Sequence, residues 1–254
     1  MNGRPWVMRM RWTDLLFAHW PFDPAALRPL VPAALELDTF DGRAWLGIVP
    51  FRMEDVAPRG LPAIPGLSVF PELNMRTYVR HRGSPGVWFL SLDADSWPTV
   101  VGARRWFHLP YVHATMSIET VGDDVVYRSR RRDDSVPPAT FTARYHPTGP
   151  AAAPGPGSFE DWSTARWRLF ATDAAGRVSR SEIRHAPWSL QPAVAELDAH
   201  ELAAAHGLTL PGAPPHLRVS RRVDVRAWWP RDADRPSGAR VGLDGADDEH
   251  DEQR

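Results

Sequence analysis

The stretch ELNMRTYVRHRGSPGVWFLSLDA, residues 72–94, decides the fold. Its two halves, 72–81 and 86–94, are rich in residues that favour extended chain, and Gly83, Pro85 and Gly86 lie between them. That is the pattern of two strands joined by a turn. Side chains alternate between the two faces of a strand. Glu72, Asn74, Arg76 and Tyr78 therefore share one face, and Leu73, Met75, Thr77 and Val79 the other. A carboxylate, an amide, a guanidinium and a phenol in one line can wall a polar cavity. They can equally form the solvated side of an antiparallel sheet, which is the default.

Further short strands are predicted on either side, at 43–53, 113–119, 125–131, 139–147 and 216–229. Pro- and Gly-rich loops and a Gly-Asp-Asp turn at 122–124 separate them. Repeated short strands with turn signals between them predict a β-barrel or sandwich. Helical pieces are predicted over 12–35, where Asp23-Pro24 gives an N-cap and a first turn. A second helix should open at Ser158, with Asp161 completing a capping pattern, and a third should span 191–207, from Pro192 to Gly207. Residues 1–230 read as a single domain, and the polar, acidic 231–254 as a disordered tail.

Composition narrows the chemistry. The formal net charge of −1 sets up no global field for nucleic acid or an anionic membrane. All 30 basic residues are arginine, so there is no lysine, and there is no cysteine. Disulfides, thiolate metal sites and thiol catalysis are excluded, which fits a cytoplasmic protein. No signal-like segment or apolar run of about 20 residues is present. Arginine can grip a carboxylate with two parallel hydrogen bonds but is no nucleophile at neutral pH.

Two other segments concentrate functional side chains. GARRWFHLPYVHA (102–114) holds Arg104, Arg105, Trp106 and Phe107 ahead of Pro110, which suits a strand entrance. Beyond it Tyr111 and His113 share a face, and histidine is the usual acid/base near neutral pH, although a lone strand histidine more often packs. EIRHAPWSL (182–190) places Trp188 in a turn, as a pocket wall or a structural plug. There is no nucleophile elbow, phosphate loop, dinucleotide fingerprint or HExxH. His200 and His206 do not share a helix face, whereas Glu196 and His200 do, as a weak pair. The RSRRR run at 128–132 abuts Asp133 and Asp134 and reads as a solvated turn. No metal or cofactor is expected.

WTDLLFAHWPFDPAALRPLVP, LELDTFDGRAWLGIVPFRM, FPELNMRTYVR, GVWFLSLDA, ARRWFHLPYVHATM and RHAPWSL occur in this order over most of residues 11–229. Together they resemble the YqjF-like (DUF2071) family, which is grouped with the acetoacetate decarboxylase-like superfamily. The resemblance implies a mainly β (α+β) fold: a closed, cone-like antiparallel β-barrel with a few peripheral helices and a central cavity. It favours an inward Glu72, Asn74 and Arg76. Decarboxylases of the superfamily form a Schiff base through a lysine after a proline, and the similar segment here is GARRWFHLPYV, with Tyr111 and Val112 where two lysines would lie. Imine catalysis by a lysine side chain is therefore excluded. A Glu-Arg-Tyr motif of the family reads Ala165-Arg166-Trp167 here. The decarboxylases assemble into oligomers, which makes a homo-oligomer an expectation.

Three functions follow. An enzyme of the lyase, hydratase or isomerase kind would hold a small carboxylate on Arg76 or Arg104, beside Asn74 and Trp188. Glu72 would move a proton, and Tyr111 or His113 would donate one. A binding protein would hold the same ligand without turnover. A structural protein would have the chamber filled by Trp88, Trp106 and Trp188.

Overall fold

The computed structural model describes residues 4–212 and 215–234. The described strands are β1 (Met8–Phe22), β2 (Glu36–Leu37), β3 (Ala44–Pro58), β4 (Phe70–His81), β5 (Ser84–Ala94), β6 (Tyr111–Val121), β7 (Asp124–Arg131), β8 (Thr140–Pro147), β9 (Arg168–Thr172), β10 (Val178–His185), β11 (Gln191–Asp198), β12 (His216–Ala227) and β13 (Arg231–Asp232). Four short helices accompany them: α1 (Pro24–Leu27), α2 (Trp97–Gly102), α3 (Phe159–Thr164) and α4 (His200–Ala204). No helix among the described residues is long and apolar enough to cross a membrane.

β4 and β5 form the predicted hairpin, in register from His81↔Ser84 to Glu72↔Ala94. Arg82 and Gly83 make its two-residue turn, both at positive φ (49° and 74°), as the twist of a tight hairpin requires. A register shift between Met75 and Arg76 interrupts the ladder.

The sheet runs β13-β10-β9-β5-β6-β7-β8-β11-β12-β1-β3-β4-β2, with β4–β5 and β10–β12 pairings in addition. Two circuits of pairing result. One passes from β5 through β6, β7, β8, β11, β12, β1, β3 and β4 back to β5; the other passes through β9, β10, β12, β1, β3 and β4 back to β5. β12, β1, β3, β4 and β5 belong to both, and this shared wall carries protein on each side. Leu16, Ala18 and Trp20 of β1 pack with Leu46, Ile48, Leu73 and Met75 on one side. Leu15 and Phe17 pack with Val49, Phe51 and Tyr78 on the other.

That double burial explains two corrections. The helical pieces expected over 12–35 shrink to α1 and a single 3-10 turn at Arg28–Leu30, because Met8–Phe22 is one strand. A strand covered on both faces shows no alternation, and its continuous apolar run looks the same as a buried helix. The solvated face expected by default for Glu72–Tyr78 is also wrong, since Glu72, Asn74 and Tyr78 are buried.

The helix expected over 191–207 is also corrected. Residues 191–198 form β11, which alternates half-buried and exposed positions along its length and pairs with β8 and β12. Only His200–Ala204 is helical, so Glu196 and His200 do not share a helix face. Ladder pairing here overrides the helix preference of an Ala-rich segment. α3 begins as predicted, with the Ser158 hydroxyl accepting from the Asp161 amide at 3.2 Å. Ahead of Pro110 the chain is helical: α2 continues into a wider turn over 103–107, which ends at His108 with φ 52°. β6 then starts at Tyr111, as the proline implied. The expected tail loses its first residues to β13, which pairs with β10. The rest of it, 235–254, lies outside the described residues.

β5 lies parallel beside β9, and a Cβ at Gly86 would sit 2.6 Å from Phe170 Cε2 and 2.7 Å from the Arg168 carbonyl oxygen. The backbone atom cannot swing away, so Gly86→Ala should destabilise the fold by about 1–3 kcal/mol. Urea or thermal unfolding of the variant measures this directly.

Candidate functional site

Glu72 sits on β4 with only 2% of its surface exposed. It faces the cluster that holds Phe51, Phe70, Leu92 and Ala94. Tyr111, the first residue of β6, reaches across β5 and donates its Oη hydrogen to Glu72 Oε2 at 2.8 Å. Burial drives the Glu72 carboxyl up to about 8, against the smaller, opposite pull of the Tyr111 hydrogen bond. At pH 7 it is mostly protonated. Burial, reinforced by the neighbouring carboxyl, also holds the Tyr111 phenol well above its ordinary value, so it stays a neutral donor.

Asn74 and Arg76 continue the same face of β4. Asn74 is buried, and its Oδ1 has no hydrogen-bond partner among the described residues. Arg76 lies over the rings of Phe17 and Tyr78, at 5.6 and 5.7 Å. Its Nε is buried without a partner, and it forms no ion pair among the described residues. An unpaired buried polar atom costs about 1–3 kcal/mol. One acceptor, Asn74 Oδ1, and one donor, Nε of a guanidinium with no carboxylate partner among the described residues, stand in line and are complementary to an anion that also carries a hydroxyl.

The line ends in a residue that sequence reasoning missed. Tyr78 Oη and His19 Nε2 share a 2.6 Å hydrogen bond. His19 is buried, and its Nδ1 has no partner among the described residues. Burial first, and then the positive charge of Arg76, holds its pKa well below the usual histidine value, so it is neutral at pH 7. Gly47 makes room for the pair: a Cβ there would lie 3.1 Å from His19 Nε2 and 3.3 Å from Tyr78 Oη. Leu15, Phe17 and His19 share a face of β1, but both faces of the strand are covered by apolar residues, so no alternation in the sequence marks the histidine.

The remaining candidates divide. Trp188 is buried, donates Nε1–H to the Thr164 carbonyl at 3.0 Å and meets Phe17 edge-on at 5.0 Å. It walls the same cluster as Glu72. Arg104 is committed elsewhere: its Nε donates to the Tyr111 carbonyl at 2.6 Å, and its outer nitrogen pairs with Asp133. It braces the backbone of Tyr111 and does not join the line on β4. His113 stands in register with Ala94, which pairs with Glu72, and its ring packs edge-on against Trp97 at 5.5 Å. Trp106 is exposed, and Trp88 donates to the Leu30 carbonyl, so neither is placed with Trp188 in that cluster. A cleft of about 500 Å³ opens beside Arg104, His108 and His206, and none of Glu72, Asn74 and Arg76 lines it. No group of three or more His, Asp or Glu side chains among the described residues is arranged to hold a metal ion.

The sequence profile of the DUF2071 family, described as an uncharacterized conserved protein, matches residues 9–224. The chain is 45% identical over 223 residues to the uncharacterized protein YqjF of Bacillus subtilis (strain 168), covering 88% of this chain and 91% of that one. Among solved structures it resembles acetoacetate decarboxylase from Legionella pneumophila subsp. pneumophila str. Philadelphia 1, with a TM-score of 0.63 and 16% identity, over 92% of this chain and 90% of that one. It also resembles the enduracididine biosynthesis enzyme MppR, complexed with the condensation product of pyruvate and imidazole 4-carboxaldehyde. There the TM-score is 0.62 at 13% identity, over 90% of both chains. At such identities the likeness concerns the fold alone.

The Glu72 carboxyl makes stability depend on pH. Its folded pKa of about 8 stands above the ordinary 4.5. Its contribution is therefore full below pH 4.5 and is lost as pH rises to 8. The loss should be on the order of a few kcal/mol. Glu72→Gln keeps a neutral group at all pH values and should flatten this fall, as denaturant unfolding between about pH 5 and 8.5 would record.

Proposed function

The chain belongs to the DUF2071 family, and from that membership we propose that it takes a small organic acid into a polar-lined chamber of a closed, cone-like β-barrel and acts on it by acid–base chemistry. The carrying observation is the buried Glu72–Tyr111 pair on the same strand face as Asn74 and Arg76. Arg76, unpaired among the described residues, is the clamp for the ligand carboxylate through parallel N–H bonds. Asn74 Oδ1 accepts from a hydroxyl or enol of the ligand. Glu72 moves the proton, its pKa of about 8 suiting exchange near neutral pH. Tyr111 supplies the partner hydrogen bond, and Arg104 holds Tyr111 in place through its carbonyl. Trp188 closes the wall.

The fold shared with a decarboxylase and with an enzyme complexed with a pyruvate condensation product supports a carbonyl acid as the ligand class. The chemistry must differ from imine formation, since the chain has no lysine. Addition or loss of water, and proton shifts next to a carbonyl, need only a positioned acid and base. Binding without turnover is the second reading. The hydrogen bond from Tyr111 favours it, because that bond already engages one oxygen of Glu72.

A thermal-shift screen with keto, hydroxy and aromatic acids tests the proposal. A ligand held by the native state alone raises Tm, by several °C at concentrations about a hundredfold above its Kd. Arg76→Ala should remain folded and lose the shift; an undiminished shift rules out the clamp. Glu72→Gln should keep the shift and, if the protein is an enzyme, abolish consumption of the acid followed by proton NMR.

A further inference from the structure

Away from that site, three arginines stand side by side on adjacent strands. Arg9 of β1 is directly opposite Arg226 of β12, and Arg226 is directly opposite Arg184 of β10. Strands lie about 4.8 Å apart, so the row spans about 10 Å. Like charges in directly opposite positions destabilise a sheet. Arg9, Arg184 and Arg226 form no ion pair among the described residues. The neighbouring carboxylates are engaged by Arg11, which pairs with Asp55 at 2.7 Å and with Asp224 at 2.9 Å. Asp224 also meets Arg222 at 3.2 Å.

The row is exposed, and two of its three side chains are held. The Arg226 guanidinium lies over Trp6 at 5.5 Å, and that of Arg184 over Trp167 at 5.8 Å. Such stacking restrains the side chain while leaving its N–H edge available. The three arginines border a cleft of about 470 Å³ with Arg11, His185, Asp55 and Asp224. Four guanidiniums against two carboxylates leave an excess of two positive charges in that cleft.

We propose that this cleft binds a phosphate or diphosphate group, with Arg226 at the centre of the contact and Arg9 and Arg184 on its flanks. A tetrahedral oxyanion with two or more negative charges offers oxygens to several guanidinium forks at once and matches the local charge excess. A lone carboxylate satisfies one fork. The site is separate from the Glu72 face and does not depend on the function proposed for it.

Calorimetric titration of the full chain with pyrophosphate at low ionic strength is the test. Saturable one-site binding is expected, weakened at least tenfold by Arg226→Ala and severalfold by Arg9→Ala or Arg184→Ala. Arg128→Ala, at an exposed position of β7, should leave it unchanged. Affinity should fall as salt rises from about 50 to about 200 mM, and succinate should bind at least tenfold more weakly than pyrophosphate. Without ligand, Arg226→Ala should melt at the same or a higher temperature, because a repulsive neighbour has gone. Inorganic phosphate and glycerol 3-phosphate identify the source of the group: tighter binding of the ester points to an organic phosphate, equal binding to the free ion. Absence of saturable binding, undiminished binding by Arg226→Ala, or succinate binding as tightly as pyrophosphate overturns the proposal. Should Arg226→Ala fail to fold, Arg226→Lys keeps the charge and loses the paired N–H groups; unchanged pyrophosphate affinity in that variant overturns it as well.

Discussion

A wall of strands with protein on both faces gives polar side chains no route to water. β1, β3 and β4 belong to both circuits of pairing, and apolar side chains cover each of their sides. Any polar residue placed there must find a partner, change its charge state, or stay unpaired at a free-energy cost. Each outcome occurs. Tyr78 and His19 pair with one another, Glu72 holds its proton, and Asn74 Oδ1 and Arg76 Nε have no partner among the described residues. The candidate site is a consequence of this wall before it is a consequence of any particular residue.

The opposite side of the hairpin shows what a structural solution looks like. Asp93 and Ser91 of β5 face Arg131 of β7, which grips Asp93 with Nε at 2.9 Å and Nη2 at 3.0 Å, and Ser91 at 2.8 Å. Charge meets charge in bidentate geometry, and the pair is buried. Such a pair is costly to break from one side and has no evident opening for a third partner. The Glu72 face contrasts in kind. Its carboxyl meets a neutral phenol, and its guanidinium meets aromatic rings. A carboxyl and a guanidinium on one strand face, neither satisfied by an opposite charge among the described residues, set this face apart from the Asp93–Arg131 pair.

How much was legible follows from the same wall. The hairpin at 72–94, the turn at Gly83, the strand entrance at Pro110 and the cap at Ser158 were all readable, because each rests on local chemistry. The strand at 8–22 was not, because period-two contrast disappears when both faces are covered, and His19 vanished with it. β11 was hidden for another reason: its Ala- and Glu-rich sequence favours helix, and only its pairing with β8 and β12 makes it a strand. The inward turn of Glu72 was invisible to periodicity, which assigns a residue to a face without saying what lies beyond it. The ion pair of Arg104 with Asp133 lies outside what sequence can show, because the two residues are 29 positions apart. Spacing carries no information about such a contact.

The absence of lysine bears on Glu72 directly. The partner of the Glu72 carboxyl is a phenol, and with no lysine in the chain no lysine amine stands there. An ammonium group beside a buried carboxyl would favour its ionised form and pull the pKa down. A phenol supplies one hydrogen bond and no charge, so the cost of burying the charged form dominates, and the carboxyl rises to about 8. A phenol partner in place of an ammonium is thus what leaves the carboxyl titrating near neutrality. A carboxyl with a pKa of about 8 can both give up and take back a proton near neutrality, which is what the acid–base role proposed for Glu72 requires.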